Sequence, residues 1–253
     1  MLEAVKLRKE YPGTLALDDM TIKFEAGSVH ALIGKNGAGK STLVKMLAGA
    51  ITPTRGKILV EGKEVKLNSP KDAFDKGIAT VYQELSLVPE MTVAENILLG
   101  RLPKRKGLGK CLIDWPEAFT RARDVLDDMH VELDVKAKAS ELGVAQQQVV
   151  EIAKAMSFKP SALMLDEPTS ALAHHETESL FRLVKQLAQK GVAIIYITHR
   201  LQELSQIADL VTVLRDGKYI GTIESRCDQR KDRQHDVQRG HPETKTTGSD
   251  RRH

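Results

Sequence analysis

The sequence predicts an α/β fold: a parallel sheet with helices packed on it, an antiparallel β subdomain at one edge, and a helical subdomain inserted between the strands. Three observations predict it. Short apolar runs such as Val29–Ile33 and Ala162–Leu165 each end in polar residues and are followed by helical periodicity, the βα rhythm of a parallel sheet. The first 30 or so residues alternate instead, as half-buried antiparallel strands do. From about residue 87 to 157 the pattern is mostly helical.

Composition sets the bounds. The 253 residues are enough for one or two domains, and 41% hydrophobic with 28% charged residues is ordinary for a globular chain. A formal net charge of +4 is modest and by itself argues neither for nor against nucleic acid. Cys111 and Cys227 are the only cysteines, which excludes a disulfide framework and suits a reducing compartment. No stretch approaches the roughly 18 consecutive apolar residues of a membrane span. Met1 to Lys6 does not open a signal peptide. The expected location is cytoplasmic, with any membrane role exercised through a partner.

In chain order, Val5 and Leu7, then Ile22 and Phe24, read as inward residues of edge strands, with Lys6, Arg8, Lys23 and Glu25 between them. Tyr11 begins the turn Tyr11-Pro12-Gly13. It can stack on a purine ring or simply pack on its own hairpin. Val29–Ile33 reads as a buried strand, and Leu43, Val44, Met46 and Leu47 lie on a helix that Gly49 ends. Between them stand Gly34, Lys35, Asn36, Gly37, Ala38, Gly39, Lys40, Ser41 and Thr42, which fit G-x-x-x-x-G-K-[ST] in the strand–loop–helix setting this pattern requires. Glycines let backbone N–H groups turn inward around phosphate oxygens, and the helix N-terminus adds positive partial charge. In that setting Lys40 reaches the β- and γ-phosphates and Ser41 holds Mg²⁺.

Lys57–Val60 and Val65–Leu67 flank Glu61-Gly62-Lys63-Glu64, a hairpin signal. Ile78–Tyr82 is a further strand and delivers Gln83, which can ligate Mg²⁺ or orient water, or be an ordinary polar strand end. In the helical stretch, Asp114 caps a helix with Pro116 in its first turn and Phe119, Ala122, Leu126 and Met129 on one face; a second helix carries Val149, Ile152, Ala153 and Met156. The basic loop Pro103–Gly107 reads as solvated surface. The strand Ala162–Leu165 runs into Asp166 and Glu167. Beside a phosphate loop, the first carboxylate suits the Mg²⁺ shell and the second suits polarising an attacking water. Leu180, Phe181, Val184, Leu187 and Ala188 form one helix face closed by Gly191, and the strand Val192–Ile197 ends on Thr198-His199. A histidine at the carboxyl end of a parallel strand stands where ligands bind in open α/β sheets. Val211–Leu214 and Tyr219–Gly221 form a last hairpin around Asp216-Gly217.

From about Leu2 to Ile223 these residues resemble the ATP-binding cassette ATPases of ABC transporters, a branch of the P-loop NTPases. The resemblance implies ATP and Mg²⁺ as ligands. It makes Tyr11 the adenine-stacking aromatic, Gly34–Thr42 the Walker A loop and Gln83 the Q-loop glutamine. Asp166 becomes the Walker B aspartate, Glu167 the catalytic glutamate and His199 the switch histidine, so that Lys40, Gln83, Glu167 and His199 serve catalysis while Ser41, Gln83 and Asp166 serve the metal. It further implies a second ABC ATPase domain, an integral membrane permease and, indirectly, a periplasmic or extracellular sugar-binding protein, with the chain peripheral on the cytoplasmic face of the membrane. The segments Tyr82–Pro89, Thr92–Ile97 and Val150–Ala155 look most like the ribose, xylose and galactose importers.

Three departures stand out. The signature Leu-Ser-Gly-Gly-Gln appears as Leu142, Gly143, Val144, Ala145 and Gln146; the aspartate expected after Ser170-Ala171-Leu172 is Ala173; and the importers of this type usually carry two ATPase domains where this chain has room for one. A cytosolic ABC ATPase acting on ribosomes or DNA would share the motifs. A GTPase would need an Asn-Lys-x-Asp segment, and there is none. The expected ATPase domain is therefore 1–223, with its helical subdomain at about 87–157. Residues 224–253 offer Cys227 and Val237 for a core amid mixed charges, a composition that predicts disorder, and the abrupt change admits a frameshifted or truncated end.

Overall fold

The computed structural model describes residues 1–105 and 112–225. Cys111, the end of the basic loop and positions 226–253 of the expected tail lie outside the described residues. The antiparallel sheet has the order β2-β1-β4-β5, from β1 (Leu2–Tyr11), β2 (Thr14–Phe24), β4 (Arg55–Val60) and β5 (Lys63–Val65). The main sheet adds β3 (Val29–Ile33), β6 (Ile78–Val81), β7 (Ala162–Asp166), β8 (Ala193–Ile197), β9 (Leu210–Arg215) and β10 (Lys218–Glu224) in the order β10-β9-β3-β8-β7-β6. All its pairings are parallel except β9 with β10.

The central strand shows why its sequence is apolar throughout. On β8, Ile194 and Tyr196 enter the core shared with α4 (Trp115–Asp128), α5 (Val144–Met156) and α6 (His174–Gln189), while Ala193, Ile195 and Ile197 enter the core shared with α1 (Lys40–Leu47) and the antiparallel sheet. A strand covered on both faces needs no polar alternation. The expected face of α6 is buried at all five positions. The hairpins turn on Glu61-Gly62 and Asp216-Gly217, each pair with positive φ, as two-residue turns of the primed type require. Between β5 and β6 lies α2 (Pro70–Asp75), capped by Ser69, and the helical stretch contains α3 (Val93–Ile97), whose Thr92 and Glu95 form a reciprocal capping box, and α4, capped by Asp114.

Several expectations need correction. On β1 the inward residues are Leu2, Ala4 and Leu7, not Val5, because the pairing register shifts between Ala4 and Leu7 where Lys6 takes φ 50°. A bulge inserts one residue and reverses the alternation. Lys63 and Glu64 belong to β5 rather than to the turn, and Lys66 and Leu67 lie beyond it. On α5, Val150 and Ala155 are buried while Val149 and Met156 are only partly so, since the helix is packed on more than one side. Glu224, assigned to the tail by composition, pairs with Leu210 in β10, and Ser225 donates to the Asp209 carbonyl at 2.8 Å.

One buried group links the fold to pH. His30 on β3 is 2% exposed, its Nε2 lies 2.7 Å from the Thr212 hydroxyl, and its ring meets Phe24 edge-on. Burial pushes its imidazole down to about 4, against the smaller raising effects of the Lys23 backbone and Glu25. The unfolded chain takes up this proton near pH 6.5 and the folded chain does not until about 4. Between those values the unfolded state binds more protons, so the neutral-His stability present above 6.5 is lost as pH falls, up to about 3 kcal/mol. Denaturant midpoints measured from pH 7 to 4 should fall with a shallower slope in His30→Gln than in the wild type; equal slopes would exclude His30 as a source.

Candidate functional site

Four parallel strands deliver the predicted residues to one end of the main sheet. Leu32 pairs with Ile197, Ile197 with Asp166, and Leu165 with Val81, so Gly34, His199, Glu167 and Gln83 follow the ends of neighbouring strands. The crevice beyond the carboxyl ends of such strands is the ligand-binding edge of this architecture.

The phosphate loop is shaped by close approach. A Cβ at Gly34 would run into the Leu214 carbonyl and stand 2.8 Å from the Ala38 Cβ. Gly39 has φ 98°, and a Cβ there would sit 2.9 Å from Leu17 Cδ1. The loop is thus clamped by the end of β9 and by β2. Gly39 begins α1 without a side-chain cap, leaving the first-turn N–H groups of Lys40, Ser41 and Thr42 directed at the loop. Lys40 is buried, and its ammonium donates to the Gly34 carbonyl at 2.6 Å and the Lys35 carbonyl at 3.3 Å.

Asp166 ends β7 half-buried. Burial, then the neighbouring Glu167, push its carboxyl up, while Lys40 and Lys45 pull it down, which places the loop's cation within electrostatic reach. No hydrogen bond or ion pair to the Asp166 carboxylate is formed among the described residues. Glu167 adopts φ 47°, a left-handed conformation uncommon for a non-glycine residue, and its N–H donates to the Ile197 carbonyl at 3.0 Å. Its Oε1 is 2.9 Å from His199 Nδ1. A cleft of about 830 Å³ has Gly34, Lys35 and Asn36 on one side and Glu167 and His199 on the other. The start of the loop, Glu167 and His199 therefore share one cleft, while Lys40, Ser41, Thr42 and Asp166 are not among its lining residues and Asp166 is tied to the loop by the field of Lys40.

Other predicted residues lie apart. Gln83 is exposed just beyond β6 and does not line the cleft, although the adjacent Tyr82 has its phenol pushed up by burial and by Asp166, so the strand end is close to that carboxylate. Tyr11 is the last residue of β1 rather than a loop residue; it is 42% exposed with the Lys9 ammonium 5.2 Å from its ring centre. Leu142 to Gln146 surround the start of α5, with Gly143 at the N-cap, and none of them lines the cleft. Ala145 and Gln146 instead border a cavity of about 480 Å³ shared with α6.

Sequence reasoning missed the polar side chains that hold these segments. Asn96, fully buried, accepts from the Val88 N–H at 2.8 Å and donates to the Val88 and Thr92 carbonyls at 3.1 Å. Glu151 on α5 accepts from the Ser86 hydroxyl at 2.8 Å and fastens the segment after Gln83. Glu203, on α7 (Leu201–Ile207), gathers three hydroxyls from two segments. A lone acid on a helix reads as solvated surface, and only long-range packing reveals its burial.

A sequence profile of the ABC transporter family matches residues 17–170, more than half of the chain. A ribose/galactose/methyl galactoside import ATP-binding protein assigned provisionally in Geobacillus kaustophilus is 50% identical over 225 residues, covering 89% of this chain and 44% of that protein. A ribose import ATP-binding protein of Streptomyces avermitilis is 48% identical over 223 residues, covering 88% and 42%. The chain spans less than half the length of these relatives. Among solved structures, a nucleotide-free ATP-binding cassette from an ABC transporter superposes with a TM-score of 0.78 at 28% identity, covering 89% of this chain and 91% of that one.

Proposed function

We propose, because this chain belongs to the ABC transporter family, that it is an ATP-hydrolysing domain that powers import of a monosaccharide through a membrane permease. The observation that carries the reading is the single cleft in which the phosphate loop faces the Glu167–His199 pair. ATP would lie with its phosphates on the N–H groups of the loop, its γ-phosphate drawing the Lys40 ammonium away from the loop carbonyls, and its adenine against Tyr11. The donor set fits Mg²⁺: the Ser41 hydroxyl in the first turn of α1 and the half-buried Asp166 carboxylate are hard oxygen ligands. That suits a cation held by one carboxylate plus substrate phosphates rather than by a protein cage. When bound, Mg²⁺ neutralises charge on the phosphates. Glu167 accepts a proton from the attacking water, and His199, bonded to Glu167, keeps that carboxylate oriented toward the γ-phosphate. Gln83 would join the metal shell only after its segment moves toward the cleft.

No described helix is long and apolar enough to cross a membrane. Coupling to transport would run through the permease, with the sugar delivered to it by a binding protein. Reconstitution tests the reading: ATP hydrolysis should rise when permease and sugar-loaded binding protein are added, and stimulation by nucleic acid instead would favour a non-transport ATPase.

The signature points to a partner domain. In this family the nucleotide at one loop is closed over by the signature of the opposite domain, and Gly143 has no hydroxyl for the γ-phosphate. One charge-assisted hydrogen bond, worth roughly 1.5–3 kcal/mol, is missing, although the first-turn amides of α5 remain. Position 143 has room: φ is −65°, and an added Cβ meets only Gln146 Oε1 at 4.0 Å. Gly143→Ser should raise ATP-driven self-association and hydrolysis of the isolated chain by about tenfold or more. Serine and glycine N-caps differ by only a few tenths of a kcal/mol in helix stability, so such a gain would report the phosphate contact. If the wild-type chain already dimerises and hydrolyses as fast, the dependence on a different partner signature is wrong and the variant signature is simply tolerated.

A further inference from the structure

We infer that Glu203 is a positioning residue that holds Glu167 and His199 in register; the inference rests on the reading that this pair acts in ATP hydrolysis. Glu203 is 6% exposed in the first turn of α7. One carboxylate oxygen accepts from the Thr169 hydroxyl at 2.6 Å; the other accepts from the Tyr196 hydroxyl at 2.8 Å and the Thr198 hydroxyl at 3.0 Å. The Arg200 guanidinium stands 3.6 Å from the same carboxylate and donates to the Thr169 and Ser170 carbonyls, each at 3.1 Å.

The placement of these donors is what matters. Thr169 lies two residues beyond Glu167, and Thr198 immediately precedes His199. The last backbone bond between the two strand ends is from the Glu167 N–H to the Ile197 carbonyl, and past it no backbone hydrogen bond among the described residues joins 168–170 to 198–200. Glu203 and Arg200 supply that missing connection with side chains. Burial of a charged carboxylate is tolerated because three hydroxyls and a guanidinium satisfy it. A carboxylate takes hydrogen bonds on both oxygens and carries the charge that faces Arg200, whereas an amide of the same size has one oxygen, must reverse the bond to a hydroxyl at its other end, and leaves the guanidinium without a counter-charge. Glutamine would therefore loosen the join between the two segments while keeping the size of the side chain.

Glu203→Gln tests the inference in the assembled transporter and in the full chain labelled with ¹⁵N-histidine. The expected result is a kcat at least tenfold lower, a KM for ATP within about twofold of wild type, and displaced His199 ring ¹⁵N resonances, since the contact with Glu167 is disturbed. Glu178→Gln, an exposed carboxylate paired with His174, should leave all three unchanged. A lowered melting temperature with kcat and the ring resonances unmoved would overturn the inference and leave Glu203 a stabilising brace. If the wild-type transporter hydrolyses no ATP, the functional reading fails, while the resonances still decide the positioning: displaced supports it, unmoved overturns it. Should Glu203→Gln not fold, Thr169→Val removes one donor and is read in the same way.

Discussion

Glu167→Gln is expected to bind ATP within a few-fold of wild type while turnover falls by roughly 10²–10⁴-fold. The substitution keeps the size of the side chain and leaves an amide oxygen that can still accept from His199 Nδ1, now at 2.9 Å from the carboxylate. What it removes is the capacity to take a proton from water at the edge of the cleft. Separating the two effects requires single-turnover hydrolysis in the assembled transporter alongside nucleotide titration. Unchanged turnover would remove Glu167 from the role of base, and equal losses in binding and turnover would indicate a misplaced loop instead.

Lys40→Met should weaken ATP binding by roughly 10²-fold, corresponding to about 3 kcal/mol for charge-assisted bonds to phosphate. Methionine preserves most of the buried stem and deletes the ammonium that the Gly34 and Lys35 carbonyls hold in place before nucleotide arrives. A second consequence follows from Asp166, whose carboxyl is already raised by burial and by Glu167 and is lowered by Lys40. Without that cation it rises further. In the role proposed for it Asp166 would serve the metal ionised, so activity at saturating nucleotide should fail at a higher pH on the acid side than in the wild type. Fluorescence titration with ATP and a pH–rate profile check both, and an unchanged affinity would exclude Lys40 from phosphate contact.

The parts of this site legible in the sequence are those whose chemistry is local. Gly34–Thr42 is a continuous pattern between a strand and a helix, and the strand was expected and found at Val29–Ile33. Asp166 and Glu167 are adjacent, and their strand announces itself by apolar composition. The rest depends on distances along the chain that no period records. Lys6 bulges β1 and exchanges Val5 for Ala4, an event that period-2 counting cannot anticipate. Val149 and Val150 are equally apolar, and which one is buried depends on what packs around α5. Glu203 is separated by 34 residues from Thr169, one of the two threonines it binds. His199 was placed by its strand end, but its contact with Glu167 came from the alignment of β7 with β8.

The left-handed backbone at Glu167 has a consequence for what selection can preserve. An L-residue with a Cβ is held there at a cost on the order of 1–2 kcal/mol relative to an ordinary helical conformation, which glycine would largely avoid. Libraries of this chain sorted only for solubility or thermal endurance should therefore drift at position 167 toward glycine or asparagine, becoming hardier as they fall silent. Libraries sorted for the proposed ATP hydrolysis should hold glutamate against that drift, because stability and work make opposite demands on the same pair of dihedral angles.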